Sequence, residues 1–169
     1  KDGVIYADTV YPKIPQFQFT NQEGKPVTNS TYKGKIWIVE FFFTSCPTIC
    51  PIMNKQLKRL YNKFDKQEQA ALQFLSFSID PTKDNPRVLK KYQVKHHINY
   101  KNWDFLTGNE AETHRLGIQH FLTFAGKDSE SAGGYAHSGS FTLVDSKGYV
   151  RGVYAVTNFD LSINEQEFD

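Results

Sequence analysis

The chain has 169 residues, 39% of them hydrophobic, which is enough for one domain with a substantial buried core. Its formal net charge of +2 gives no indication of nucleic-acid binding. No apolar run reaches the roughly 18 residues of a membrane span, and no signal-peptide pattern is visible. The two cysteines, an even number, are compatible with an oxidising compartment.

The N-terminal part of the chain is predicted to form an arm followed by a hairpin. Residues 1–15 are expected to be an irregular arm. Residues 16–20 alternate like a strand, 21–24 have turn composition, and 25–28 form the returning strand. Pro26 cannot donate a ladder hydrogen bond, so we expect the returning strand at the edge of a sheet.

The central element is an apolar run, residues 36–43, that predicts a buried strand. Cys46 and Cys50 follow, and the helix after them has one apolar stripe, formed by Met53, Leu57, Leu60 and Phe64. Both cysteines of the chain therefore lie where a strand passes into a helix. Reactive groups of α/β sheets are commonly found at this place, beyond the carboxyl end of a strand.

The cysteine spacing predicts a reactive pair. Pro51 suits the first helical position and disfavours helical geometry in the residue before it, which places Cys50 at the N-cap. The helix dipole is then expected to lower the pKa of a thiol at this terminus. Two such thiols can close a disulfide or bind one soft metal ion. The alternative is a structural disulfide or two inert buried thiols.

The remaining elements predict an α/β protein with a mixed sheet. Residues 67–71 are expected to be a polar connection. Strands are predicted at 72–79, 103–106, 140–144 and 149–156. Helices are predicted from Pro86 through Tyr92, at 109–120 and at 161–168. Asn85 and Pro86 form the start signal of the second helix. Residues 121–136 are predicted to be irregular, with a mobile middle at 126–134. No domain boundary is visible, so residues 1–169 are expected to form a single domain.

His137 is the candidate third ligand, because it lies just before the late hairpin whose strands approach the central strand. Two thiolates and one imidazole make a soft site of low coordination number, which favours Cu(I) and also admits Cu(II). Zinc would require a fourth ligand, and none is evident nearby. A histidine that is merely hydrogen-bonded at the start of a strand is the alternative.

Four blocks of sequence resemble the Sco/SenC family: FFFTSCPTICPIM, SFSIDPTKDNPRVLKKY, NWDFLTG and HSGSFTLVDSKG. The resemblance covers residues 15–156. It implies a thioredoxin-like fold with an added N-terminal hairpin and a copper site at Cys46, Cys50 and His137. Asp80 matches a family aspartate near the copper, and its alternative role is simply to form the turn before Pro81. Ala136 replaces an acidic residue that many relatives have before the histidine.

The resemblance also implies a role and a location. Family members deliver copper to the CuA site of cytochrome c oxidase or reduce its thiols, and other copper carriers are expected partners. They are usually anchored facing the periplasm or the mitochondrial intermembrane space, so an anchor outside this sequence is expected.

Two functions remain open, a metallochaperone without substrate turnover and a thiol–disulfide oxidoreductase. Three residues separate the cysteines, whereas thioredoxin-type enzymes have two, and no proline follows Pro86 to face the pair. The sequence therefore favours the metallochaperone. A peroxidase is less well supported, because neither cysteine has a peroxiredoxin-like sequence around it.

Overall fold

The computed structural model describes residues 12–131, 133–157 and 163–164. A seven-stranded sheet has the order β2-β1-β5-β4-β3-β8-β9, and β6 and β7 form a second sheet of two strands. The strands are β1 (Gln18–Asn21), β2 (Pro26–Thr28), β3 (Ile36–Phe42), β4 (Leu72–Ser78), β5 (Trp103–Thr107), β6 (Ala125–Lys127), β7 (Tyr135–His137), β8 (Ser140–Val144) and β9 (Val150–Ala155). The helices are α1 (Ile49–Lys63), α2 (Lys66–Ala71), α3 (Pro86–Lys95) and α4 (Glu110–Gln119), and a 3-10 turn covers Asn29–Tyr32.

The centre of the sheet is parallel and its flanks are antiparallel. Strand β3 pairs in parallel with β4, and β4 in parallel with β5. The hairpin β8–β9 adds to β3, and the N-terminal hairpin β1–β2 adds to β5 with Pro26 on the edge strand, as the sequence predicts. The predicted fold class, α/β with a mixed sheet and an N-terminal hairpin, is confirmed.

Helices α1 and α3 cover the same face of the sheet. Two successive right-handed crossovers that step in one direction, from β3 to β4 to β5, place both connecting helices on one side. The helices contact each other, since Lys58 Nζ donates to the backbone oxygen of His96 at 3.0 Å and Asn54 Nδ2 donates to Tyr92 Oη. Helix α4 lies on the opposite face, where Gly117 approaches the ring of Phe41.

Aromatic side chains fill both sides of the sheet, because successive strand residues point to opposite faces. Phe74, Trp103 and Phe105 are fully buried and stack beside one another under α1 and α3. Phe41, Phe77 and Phe121 form a second buried group on the other face. The predicted stripe of α1 is confirmed in its first half, where Met53 and Leu57 are buried; Leu60 is partly buried and Phe64 follows the helix as its C-cap.

Several boundaries differ from the sequence-based predictions. Residues 66–71, expected in large part to be a polar connection, form helix α2, because Asp65 and Glu68 make a capping box that satisfies the first N–H groups. Part of the segment expected to be irregular forms β6 and β7, which pair Ala125 with His137. Within the described ranges, no helix combines the length and apolarity needed to cross a lipid bilayer.

Both ends of the chain are described only in part. Residues 1–11 of the predicted arm lie outside the described residues. The last part of the arm is bonded to the segment between β8 and β9. Lys13 forms a β-bridge with Tyr149, and the N–H of Ile14 donates to the backbone oxygen of Gly148. Most of the predicted C-terminal helix also lies outside them. Ile163, one of its two described residues, pairs with Thr157 in a β-bridge instead.

Candidate metal centre

The turn between β3 and α1 carries both cysteines at the carboxyl end of the central strand. Cys46 is 9% exposed and Cys50 is fully buried, and neither forms a disulfide. The backbone N–H of Cys50 donates to the Cys46 sulfur at 3.4 Å. This N–H belongs to the first turn of α1, where backbone donors have no partner within the helix. The helix terminus therefore stabilises negative charge on the Cys46 sulfur.

The helix begins earlier than the sequence predicts. Thr48 is the N-cap and Ile49 the first helical residue, so Cys50 and Pro51 lie inside the first turn. The N-cap prediction for Cys50 is wrong, and so is the first position for Pro51. Proline is tolerated there because the N–H groups of the whole first turn lack intrahelical partners. Cys46, in the preceding loop, is consequently the cysteine whose sulfur accepts a bond from the helix terminus.

The Cys50 thiol is not acidified. Burial raises the pKa of Cys50 well above its ordinary value, and the neighbouring Cys46 and the carboxyl of Glu40 raise it further. A hydrogen bond with the backbone of Phe43 acts in the opposite direction and is outweighed. The predicted lowering of the pKa is therefore wrong for Cys50, because loss of hydration outweighs the helix dipole in a fully buried site.

A buried carboxylate, Asp84, ties the cysteine turn to the loop after β4. Asp84 is fully buried and accepts hydrogen bonds from the N–H of Thr44 at 3.0 Å, from Thr44 Oγ1 and from Ser78 Oγ at 2.6 Å. Thr44 precedes Cys46 by two residues, so this carboxylate holds the start of the cysteine turn. This role of Asp84 was not predicted from the sequence, where its one signal is a second acidic residue soon after the Asp-Pro turn.

Glu40 is a second buried carboxyl beneath the pair and was also missed. It is 1% exposed, lies on β3 and accepts a hydrogen bond from Ser76 Oγ at 2.5 Å. Its other oxygen, Oε2, is buried without a hydrogen-bond partner among the described residues. Burial raises the pKa of Glu40 to about 8, which the Ser76 hydrogen bond only partly offsets. Its signal in the sequence is a single acidic residue inside the apolar run of residues 36–43.

Asp80 lies on the same side of the molecule, in the turn after β4. It is fully buried, and Oδ1 accepts hydrogen bonds from Thr82 Oγ1 at 2.7 Å and Tyr135 Oη at 3.2 Å. Oδ2 forms an ion pair with Lys83 Nζ at 3.1 Å. Burial raises the pKa of Asp80, but the bonds from Thr82 and Lys83 outweigh it, so the net shift is downward. Asp80 is therefore a charged anchor for the strand that carries Tyr135.

His137 lies just before the late hairpin, as the sequence predicts, and is also the last residue of the short strand β7. Its side chain lies outside the described part of the structure, but its backbone is bracketed by two contacts with the cysteine segment. Before it, the Tyr135 ring lies 5.5 Å from the Phe43 ring. After it, Gly139 lies so close to Ile49 that a Cβ there would come within 2.5 Å of Ile49 Cδ1. Phe43 precedes Cys46, and Ile49 directly precedes Cys50.

The described side chains alone include no group of three His, Cys, Asp or Glu residues arranged to hold a metal ion. The His137 side chain is not one of these described side chains. The two cysteine sulfurs provide the soft donors of the site, and a further donor would have to come from a side chain outside the described ones. Buried, adjacent thiols of this kind suit Cu(I) or reversible disulfide formation.

These features define a class: an α/β protein of thioredoxin-like fold whose cysteine pair opens the helix after the central strand. The sequence profile of the SCO1/SenC family matches residues 8–165, so the chain belongs to the SCO1/SenC family. The resemblance seen in the sequence is thereby confirmed.

Solved structures agree with this assignment. A SCO1/SenC family lipoprotein from Bacillus anthracis is 36% identical, with a TM-score of 0.76 and coverage of 86% of each chain. BsSco, described with a disulfide switch and as a member of the Sco family of cytochrome c oxidase assembly proteins, is 36% identical, with a TM-score of 0.75 and coverage of 88% of this chain and 86% of its own. Yeast Sco1 with copper bound is 26% identical, with a TM-score of 0.70 and coverage of 85% and 80%.

Proposed function

We propose that this protein is a copper carrier, in which Cys46, Cys50 and His137 bind copper as cargo and release it to a partner. The observation that carries the proposal is the reduced, adjacent cysteine pair, with a helix N–H directed at the Cys46 sulfur. The copper-bound structure of a yeast relative supports the choice of metal. Two thiolates match the preference of Cu(I), and an imidazole extends the site to Cu(II).

The proposal for His137 rests on its backbone position. Tyr135 and His137 are two positions apart on β7, and such positions share a face of a strand. Tyr135 contacts the Phe43 ring, beside the cysteine turn. We propose for Asp80 a supporting role, in which its carboxylate holds Tyr135 and does not bind the metal.

Redox state would control loading. Closure of the Cys46–Cys50 disulfide by exchange with a partner disulfide forms one S–S bond here and breaks the partner's, which takes up the two electrons and two protons and becomes two thiols. The closure removes both thiolate donors. The high pKa of Cys50 means that this thiol keeps its proton until the metal displaces it. Copper uptake therefore becomes tighter as the pH rises.

We further propose that the recipient is the cytochrome c oxidase subunit with the CuA site, and that other copper carriers load this protein. The description of BsSco as a member of a family of oxidase assembly proteins supports this partner. The description of the Bacillus anthracis relative as a lipoprotein supports an extracytoplasmic location next to a membrane, reached through an anchor outside this sequence.

A thiol–disulfide reductase is the second candidate, and the reduced, adjacent thiols favour it together with the disulfide switch described for BsSco. The two functions differ in stoichiometry. A carrier passes on a single copper ion for each loading, whereas a reductase reduces a disulfide of its partner with no copper present.

The test is a copper titration of the reduced and the disulfide forms, with a chelator as competitor. The reduced protein should bind a single copper ion and the disulfide form none. Cys46→Ser or Cys50→Ser should nearly abolish Cu(I) binding, whereas His137→Ala should mainly weaken Cu(II) binding. His120→Ala, which changes a histidine of another segment, should bind like the wild type.

Two outcomes would contradict the proposal. If His137→Ala titrates like the wild type in both copper oxidation states, His137 is not a ligand. If the reduced protein binds no copper but reduces the CuA-subunit disulfide stoichiometrically, the reductase is the correct function.

A further inference from the structure

Helices α1 and α3 carry an unusual share of the positive charge of the protein. Together they hold eight Lys and Arg residues and no Asp or Glu. The whole chain has 20 basic and 18 acidic residues, so the remainder has 12 basic residues for the same 18 acidic ones. A nearly neutral protein is therefore strongly polarised, with its basic end on one pair of helices.

Six of these residues form two parallel stripes on the solvent side. On α1 they are Lys55, Arg59 and Lys63, and on α3 they are Arg87, Lys91 and Lys95. All six are exposed, and each stripe has i, i+4, i+8 spacing, so its members lie one above another over roughly 12 Å. We call these six residues the basic face.

The two stripes form one surface, because the helices pack on the same side of the sheet. Lys58 Nζ, which lies between the stripes, donates to the backbone oxygen of His96 on the α3 side at 3.0 Å. Helices in contact lie roughly 8–10 Å apart, so the stripes are neighbours. The positive charge also affects His96. Burial is the largest cause of its lowered pKa, and the charges of Lys95 and Lys58 lower the pKa further.

The α3 stripe is unfavourable in the isolated protein. Like charges at i, i+4 destabilise a helix by a few tenths of a kcal/mol for each pair, and this stripe contains two such pairs. An extended anionic surface would convert the repulsion into attraction. Clusters of four to eight Lys and Arg residues on amphipathic helices are typical of anionic-lipid binding, at about 1 kcal/mol per residue.

The composition of the face favours a lipid surface over a protein. Protein interfaces are built on aromatic and apolar anchors, and lysine is depleted in them. In α1 and α3, which are both described in full, Val94 is the only exposed large hydrophobic residue. Four of the six residues of the basic face are lysines, whose long, flexible side chains suit a diffuse layer of phosphate groups.

We propose that the basic face binds the surface of an anionic phospholipid membrane. In this orientation the axes of α1 and α3 lie parallel to the bilayer. The cysteine pair, at the N-terminal end of α1, then lies at the rim of the contact and stays open to a partner in the same membrane. The proposal does not depend on copper binding.

The experiment measures sedimentation of the full chain with vesicles. Phosphatidylcholine vesicles that contain about 30% phosphatidylglycerol should retain the protein at about 50 mM salt and release most of it at about 300 mM. Pure phosphatidylcholine vesicles should not retain it. The variant Lys55→Glu/Lys91→Glu/Lys95→Glu should bind at least about tenfold more weakly.

A matched control distinguishes the effect of losing the basic face from the effect of an equal change in net charge. Lys25→Glu/Lys66→Glu/Lys147→Glu changes the net charge equally at exposed positions outside α1 and α3, and it should keep most of the affinity. Thermal unfolding and the copper titration should show that both variants are folded. Equal losses in the two variants would overturn the proposal, and so would equal binding to neutral vesicles. If the wild type does not bind anionic vesicles but binds an acidic protein through this face, the partner of the basic face is a protein and the proposal is wrong.

Discussion

The cysteine turn and the β6–β7 sheet approach each other but are built in different ways. The turn extends from β3, which has partners on both sides in the seven-stranded sheet, and its Phe42, Phe43 and Cys50 are at most 1% exposed. Strands β6 and β7 have three residues each and, among the described residues, pair only with each other.

The two halves of the proposed site therefore depend on different forces. The cysteine half is held by the core and by the buried carboxylate of Asp84. The histidine half is held against it by a few contacts: the Tyr135 ring on Phe43, the Tyr135 hydroxyl on Asp80 and the close approach of Gly139 to Ile49. Changes to the first half should mainly affect folding, whereas changes to the second should mainly affect ligand binding.

The largest effect is expected from Glu40→Gln. The pKa of Glu40 is about 8 in the folded protein and 4.5 for an unperturbed carboxyl. Between these values the folded state keeps a proton that the unfolded state loses, so stability falls as the pH rises, by about 1.4 kcal/mol per pH unit. Glu40→Gln should remove this slope, and the variant should be more stable than the wild type at pH 8 by roughly 4 kcal/mol.

Urea unfolding from pH 4 to pH 9 measures the Glu40 effect. Glu130→Gln, at an exposed position, is the control and should leave the slope unchanged. Equal slopes in the wild type and Glu40→Gln would show that Glu40 ionises normally.

Asp84→Ala compares the two regions directly. The substitution leaves Thr44 N–H, Thr44 Oγ1 and Ser78 Oγ without their acceptor and should cost about 3 kcal/mol in urea unfolding. Alkylation of the Cys50 thiol should accelerate. Asp128→Ala, which removes an acceptor between β6 and β7, should cost less and leave this rate unchanged. Equal stability losses in the two variants would remove the contrast between the regions.

Gly139→Ala should affect the histidine half of the site and leave the cysteine half in place. The added Cβ meets Ile49 Cδ1 and Thr157 Oγ1, and such overpacking costs about 1–3 kcal/mol. We expect Cu(II) affinity to fall about tenfold, with Cu(I) affinity nearly unchanged, because the backbone beside His137 moves while the cysteines stay in place. Ile49→Val removes Cδ1, one of the two groups that the added Cβ meets, and should restore part of the Cu(II) affinity in the double variant. Equal losses for both copper ions would show that the cysteine turn moves as well.

The smallest effect is expected from Tyr135→Phe. It keeps the ring on Phe43 but removes the hydroxyl that donates to Asp80 Oδ1 at 3.2 Å and Glu110 Oε1 at 3.3 Å. The expected loss is about 1 kcal/mol in urea unfolding, with a modest weakening of Cu(II) binding. Tyr154→Phe, at a residue that is 40% exposed, should change neither quantity. A Tyr135→Phe variant with wild-type stability would show that Asp80 does not anchor β7.

Most of the main elements could be predicted because their signals are local. The apolar run of β3, the Asn85–Pro86 start of α3 and the Asn109 cap of α4 are each contained in a few consecutive residues. Helix α2 had an equally local signal, the Asp65–Glu68 capping box, and was missed because it has no stripe of large apolar residues. Strands β6 and β7 had none, because three residues are too few to show an alternation.

Local sequence patterns were enough to predict the cysteine pair, its place where a strand passes into a helix, and the α/β class with its mixed sheet. The environment of these groups, in contrast, depends on the tertiary structure. The raised pKa of Cys50, the role of Asp84 and the approach of Gly139 to Ile49 all depend on residues that are distant in the chain. Spacing along a chain specifies local geometry, whereas burial and hydrogen bonding of a buried group are set by whichever distant segments pack against it.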